Sequence, residues 1–172
     1  MIRFARFAVL FSGMKFRPRI GILDESVLKL RVWPNEADLT NVHQASYFLY
    51  MELGRWDMAL RMGLAKIMLR ERFVGIVGGQ AILYKKPLKR FQRFDLRSRI
   101  VGWDNRWTFF EHHIEGKRES YVTSHARVTF VGRDGRRVSP AEFSAMAGGP
   151  SESPPFSRET ELFASYCRQQ NR

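Results

Sequence analysis

The chain has 172 residues, 44% of them hydrophobic and 27% charged, which suits one folded soluble domain with a single substantial core. Its formal net charge of +12 favours anionic partners: nucleic acid, an acidic membrane surface, an acidic carrier protein or a phosphorylated ligand. The one cysteine, Cys167, excludes an internal disulfide framework and makes a reducing cytoplasm the default compartment.

Residues 1–25 read as an N-terminal arm. Its first stretch, MIRFARFAVLFSGMKF, is basic and apolar but interrupted by Arg3 and Arg6. It falls far short of the roughly 20 apolar residues that a membrane span needs. No small-x-small cleavage site follows before Lys15 and Arg17, so a secretory signal is not indicated. A helix packed on the domain and an interfacial anchor giving peripheral membrane contact both fit it. Arg17-Pro18-Arg19 closes the arm.

A domain is expected over residues 26–147. Ser26 to Trp33 alternates as a strand, with Leu28, Leu30 and Val32 on one face, and Pro34 ends it. Gln44 to Leu69 is helical: Tyr47, Tyr50, Met51, Gly54 and Met58 recur at three- and four-residue steps beside a second stripe of Leu49, Leu53, Trp56 and Leu60. A helix apolar around most of its girth is normally enclosed by protein. Gly54 costs roughly 1 kcal/mol against alanine there, so close packing on a sheet is a reason for it. Gly63 ends or bends the helix. Phe73–Leu83, Phe94–Trp103, Trp107–Ile114 and Tyr121–Val131 then read as four successive strands, separated by Lys86-Pro87, Asp104-Asn105, Gly116-Lys117 and Arg133-Asp134-Gly135. Gly78-Gly79 inside the first of them marks a bulge or a close backbone approach. Ser139-Pro140-Ala141-Glu142 starts a short helix to about Ala147. Residues 148–157 (GGPSESPPFS) are a linker by composition, and 158–172 form a tail able to make an amphipathic helix through Leu162, Phe163 and Tyr166.

Strand, enclosed helix, then four strands in sequence make an α+β fold: an antiparallel sheet wrapped around one long helix. The most informative stretch lies at the helix entry, Val32 to Arg55. A short acid-bearing loop there precedes a helix whose first turn supplies unpaired backbone N–H groups. An acid and such donors at one apolar crevice suit acyl transfer, since a carbonyl is activated by donors at its forming oxyanion while a carboxylate activates water or attacks directly. Asp38 is the candidate acid, against the alternative of an Asx-type turn cap. Asn41, His43, Gln44 and Tyr47 are candidates for the substrate and oxyanion region, although His43 also suits local hydrogen bonding and Tyr47 the core. Glu36 reads as solvent-facing at the strand end, and Glu52 with Arg55 as a helix-face ion pair.

Lys85, Lys86, Lys89 and Arg90, interleaved with Phe91 and Phe94, are candidates for binding phosphates, against a solvated turn as the plainer reading. Nucleic-acid binding rests on charge alone. No metal site is expected: Glu111 and His113 share a strand face that His112 does not, and no zinc-type Cys/His spacing occurs. A serine-hydrolase elbow, a phosphate-binding Gly-rich loop and a dinucleotide fingerprint are all absent from the sequence, so no cofactor is expected.

Residues 24–147 resemble the 4-hydroxybenzoyl-CoA thioesterase-like branch of the hotdog-fold acyl-CoA thioesterase superfamily. The likeness lies in Val32, Pro34, Glu36, Asp38, Leu39, Tyr47, Met51, Glu52, Leu53, Gly54, Arg55 and Asp57, followed by Gly78-Gly79, Pro87-Leu88, Phe91, Phe94 and Gly102-Trp103-Asp104. Where the branch carries His-Met-Asn-Asn, this chain has Asn41-Val42-His43-Gln44 and is one residue shorter between Asp38 and Tyr47. Asp38 meets the family's catalytic aspartate only across that deletion; without it Ala37 takes the place. The resemblance implies a cofactor-independent thioesterase acting on acyl-CoA or acyl-carrier-protein thioesters, with coenzyme A phosphates at the basic segment. It also implies a homodimer or dimer of dimers with a shared site. The altered turn leaves a non-catalytic hotdog module, binding acyl-CoA or a protein partner, as the alternative.

Overall fold

Helix α1 (Ile2–Gly13) precedes strand β1 (Ser26–Arg31) in a computed structural model that describes residues 2–13 and 17–170. A single 3₁₀ turn, Pro34–Glu36, leads to α2 (Gln44–Arg61) and α3 (Leu64–Arg70). The sheet strands are β2 (Phe73–Tyr84), β3 (Arg93–Trp103), β4 (Thr108–Glu115), β5 (Ser120–Gly132) and β6 (Arg137–Val138), and α4 (Pro140–Met146) and α5 (Arg158–Gln169) follow. β1 stops two residues before the expected Trp33, and β6 was not anticipated. The long helical stretch is two helices, because Gly63 takes a left-handed conformation (φ +79°) that breaks the ladder.

The strands pair antiparallel in the order β1-β3-β4-β5-β2, with β6 added to β5. α2 lies against the inner face, where Tyr47, Tyr50, Met51 and Leu53 pack with Leu28, Leu96, Ile114 and Val122. This is the hotdog arrangement expected from the sequence. Fully buried Tyr50, Met51 and Met58 each contribute about 1.5–3 kcal/mol by leaving water. β5 shows why its alternation was readable. Val122, Ser124, Ala126, Val128 and Phe130 are buried inward. The opposite face is covered by α5, whose Phe163, Ala164 and Cys167 pack with Phe109. The register of β2 on β5 shifts between Val77 and Gly79, so the glycine pair does mark a bulge.

α4 is launched by a capping box: Ser139 Oγ accepts from Glu142 N (3.2 Å) and the Glu142 carboxylate accepts from Ser139 N (2.7 Å). α1 is fastened to the domain by buried Arg6 and Leu10 and by Phe7 set edge-on to Trp56 at 6.1 Å. Its outer side leaves Phe4, Val9 and Phe11 exposed. Among the described residues no helix is long and apolar enough to cross a membrane.

Gly54 is where α2 comes closest to β3. A Cβ there would collide with Ser98 Oγ and press on Leu96. The overlap outweighs the roughly 1 kcal/mol that alanine gains over glycine in a helix, so Gly54→Ala is expected to destabilise the fold by about 1–2 kcal/mol in urea unfolding. Adding Ser98→Ala should restore part of that loss. A Gly54→Ala protein as stable as the original would show that α2 and β3 are not in tight contact.

Candidate functional site at the head of the central helix

The entry to α2 is built from the 37–43 loop. Asp38 N donates to Asn41 O (2.9 Å), and Ala37 bridges Val42. The turn closes so tightly that its tip points outward, leaving Asp38 74% and Leu39 89% exposed. His43 is the N-cap of α2, in an extended conformation and without a side-chain cap bond. Its Nδ1 stands 3.3 Å from Asp38 Oδ1. Its N–H goes to Glu36 O (3.0 Å), and Ser46 N donates to His43 O (3.0 Å). The N–H groups of Gln44 and Ala45 lie in the first turn, with no earlier helical carbonyl to bond.

Beside that head opens a cavity of about 760 Å3. Ala45 and Ser46 lie at one end, Glu52, Arg55 and Gln80 give it polar groups midway, and Met58, Met68, Phe130 and Phe143 line the far end. Asp38 does not line it, so the expected meeting of acid and helix head in one crevice does not occur within a single chain. Tyr47 also lies apart from it. Its side chain is in the core, and its hydroxyl accepts from Leu88 N (3.0 Å). Burial pushes that hydroxyl's pKa up. Asn41 and Gln44 are exposed at the loop and the first turn.

Glu36 is a correction. It is fully buried, not solvent-facing. Its carboxylate accepts from Arg6 Nε (2.7 Å) and Nη2 (2.5 Å), Trp33 N (2.8 Å) and the Tyr50 hydroxyl (2.8 Å). Its main-chain oxygen accepts from the Ser46 hydroxyl (2.9 Å) as well as from His43 N. The Arg6 guanidinium also lies 4.0 Å from the Trp33 ring centroid. The only local sign was an acid three residues after a tryptophan; the partner that makes its burial tolerable is 30 residues away.

Arg55 reaches across to β4. Its Nη1 is 3.3 Å from His112 Nε2, and His112 Nδ1 is 2.9 Å from Ser98 Oγ. Arginine only donates, so Nε2 accepts, the ring is neutral, and Nδ1–H donates to the serine. Burial, then the nearby Arg55 charge, holds the His112 pKa well below its usual value. Burial lowers Arg55 to about 10, opposed by the charge of Glu52.

The basic segment divides in two. Lys86 pairs with Glu119 (2.6 Å) and Lys85 reaches Ser120 (3.4 Å), both toward the β4–β5 turn. Lys89 and Arg90 are drawn to the helix entry, because Val42 N bonds Leu88 O (3.0 Å), Arg90 N bonds Thr40 O (2.9 Å) and Asn41 bridges Lys89. On the outer sheet face Glu111 faces His113 (3.4 Å) and Arg99 (2.6 Å), which hold its carboxyl down at about 2. His112 points to the other side, as strand alternation requires. Among the described residues no cluster of His, Cys, Asp or Glu is placed to hold a metal ion.

A family model described as thioesterase-like superfamily matches residues 32–156. Protein THEM6 of Danio rerio is 26% identical over 104 residues, covering 60% of this chain and 52% of that protein. Thioesterase lcsJ of Purpureocillium lilacinum is 25% identical over 153 residues, covering 74% of this chain and 49% of its own length. This chain therefore spans about half the length of these curated relatives. The crystal structure of a probable thioesterase from Bartonella henselae superposes with a TM-score of 0.61 at 20% identity, covering 67% of this chain and 98% of that one, a likeness of fold.

Since the fold favours neutral His112, stability should be full above the usual histidine pKa of 6.5 and decline as pH falls below it. His125, whose pKa is also lowered by burial, adds to the same slope. Urea unfolding at pH 7.5 and 5.5 should show this fall, and His112→Gln should make it shallower. An unchanged slope in that variant would mean that His112 does not titrate on unfolding.

Proposed function

Because the chain belongs to the thioesterase-like superfamily, we propose that it hydrolyses acyl thioesters, carried on coenzyme A or on an acyl-carrier protein, without a cofactor. The observation that carries this reading is the uncapped first turn of α2 opening onto a large apolar cavity. The N–H groups of Gln44 and Ala45 serve as oxyanion donors, each such donor being worth about 10²–10³ in rate. Asp38 of a second copy, in a site shared between two chains, takes the proton from the attacking water. The tetrahedral intermediate then expels the thiolate, which recovers that proton, leaving a carboxylic acid and a free thiol. The cavity receives the acyl group.

The order of residues from Val32 to Asp57 supports the 4-hydroxybenzoyl-CoA thioesterase-like branch. A homodimer belongs to the same reading. β2 is an edge strand 12 residues long with Val74, Ile76, Leu83 and Tyr84 exposed, an edge that invites pairing with a second copy. The backbone ties of Lys89 and Arg90 to the helix entry support them as contacts for coenzyme A phosphates. One observation favours a second reading: Asp38 lies outside the cavity on a shortened turn. On that reading the chain is a hotdog module that binds acyl-CoA or a protein partner without turnover.

Thiol release should be measured on short, long and aromatic acyl-CoAs. Turnover is expected on part of that panel, with Asp38→Asn lowering kcat by about 10²-fold while sedimentation still shows a dimer. Full activity in Asp38→Asn and loss in Glu52→Gln would transfer the role to the cavity carboxylate. Saturable acyl-CoA binding with no thiol release would establish the non-catalytic module. A monomer in sedimentation would remove the shared site. In the double variant Lys89→Glu/Arg90→Glu, KM should rise about tenfold for acyl-CoA and stay unchanged for the matching acyl-pantetheine thioester. An equal rise for both would separate these residues from the phosphates.

A further inference from the structure

We infer that Arg6, carried by α1, is a positioning residue of the hydrolytic site, acting on Glu36. The inference rests on the thioesterase reading above and adds a residue from the N-terminal arm to it. Arg6 meets Glu36 with two nitrogens, at 2.7 and 2.5 Å, and its Nη2 also donates to Arg31 O (2.6 Å). A planar guanidinium bonded twice to one carboxylate fixes direction as well as distance. The other side of Glu36 faces the reaction. Its main-chain oxygen holds the His43 N–H and the Ser46 hydroxyl, the groups on either side of the proposed oxyanion donors at Gln44 and Ala45. Tyr50, one turn further along α2, closes on the same carboxylate at 2.8 Å.

The path from α1 to the donors is therefore continuous and short: guanidinium, carboxylate, the 3₁₀ turn that carries it, then the N-cap of α2. Removing Arg6 leaves a carboxylate with no exposure to water and no countercharge, which favours movement of the turn to rehydrate it. A displacement of the helix head by about 1 Å costs about 10²-fold in rate. Arg6 touches no reacting atom, so its loss should act on kcat and leave KM nearly unchanged.

The test compares Arg6→Gln with Arg6→Lys and Leu10→Ala. Leu10 is buried on the same helix and forms no part of the Glu36 cluster, so Leu10→Ala loosens α1 without breaking the clamp. Arg6→Gln should lower kcat for acyl-CoA hydrolysis by about 10–100-fold with KM within about threefold, and Arg6→Lys, which keeps the charge but not the fork, should fall between. Leu10→Ala should stay within about twofold of the unaltered protein even where its melting temperature drops as far. A second readout needs no turnover. The His43 amide, bonded to Glu36 O, should exchange with deuterium at least about tenfold faster in Arg6→Gln than in Leu10→Ala. Unchanged kcat and unchanged His43 exchange in Arg6→Gln overturn the inference, as does an equal loss in Leu10→Ala, which would reduce Arg6 to stability alone. If Arg6→Gln fails to fold, Arg6→Lys is judged by the same two criteria. If the unaltered protein releases no thiol, the thioesterase reading fails and His43 exchange alone decides the clamp.

Discussion

The contact of α2 with β3 is the constraint on which the rest of the structure depends. Gly54 brings the helix backbone onto Ser98 and Leu96, and that approach sets how deep the helix sits in the sheet. Depth in turn fixes the polar seam beneath it. Ser98 and His112 are register partners on β3 and β4, and His112 accepts from Arg55 because α2 lies this close to them. A buried histidine and a buried serine next to an apolar helix would otherwise cost the desolvation of both groups. The aromatic and aliphatic face of α2 supplies the energy, and the absence of a side chain at Gly54 supplies the position.

Two buried carboxylates carry that position outward to the chain that precedes α2. Asp57, near the C-terminal end of the helix, takes Arg17 and Ser26 and lies 3.6 Å from Arg61. Glu36, at the other end, takes Arg6 and binds Tyr50. The N-terminal segment is thus stitched to α2 at both ends by charge-assisted bonds. A buried ion pair adds little net stability because desolvation consumes the Coulombic gain, but breaking one leaves a charge without solvent or partner. Such stitches select one register of the arm on the helix more than they strengthen it.

The parts of this arrangement that were legible in the sequence are those governed by nearest neighbours. β5 alternates Val122, Ser124, Ala126, Val128 and Phe130, so its inner face was evident from period alone, and Ser139-Pro140-Ala141-Glu142 carries its helix start within four residues. The parts that were not legible depend on distant partners. Pro34-Asn35-Glu36 has the composition of a solvated turn, and only Arg6, brought in by the packing of α1, makes Glu36 a core residue. The neighbours of Asp38 suggest a place at the crevice; the closure of Ala37 on Val42 turns it outward instead. The helix that covers the outer face was legible as an amphipathic tail, but its face was not: Leu162 and Tyr166 are exposed, and Phe163, Ala164 and Cys167 meet Phe109 across a proline-rich linker.

The position of Asp38 then bears on how the proposed chemistry is assembled. The helix head and the acyl cavity meet within one chain, but the carboxylate that the cavity contains is seven residues further along α2 than Ala45. At about 1.5 Å per residue its Cα lies about 10 Å further along the axis, and a glutamate side chain leaning toward the helix N-terminus recovers only part of that span. Asp38 is closer in sequence to the donors yet is exposed and does not line the cavity. Neither acid stands within the cavity directly at the head of its own α2. A second copy joined through β2 would lie beside the cavity, since β2 is a free edge and lines the cavity through Gly75, Val77 and Gln80. On the proposed reading, a shared site would complete the chemistry: the donors and the acyl pocket belong to one chain, and the contact between two would supply the proton acceptor.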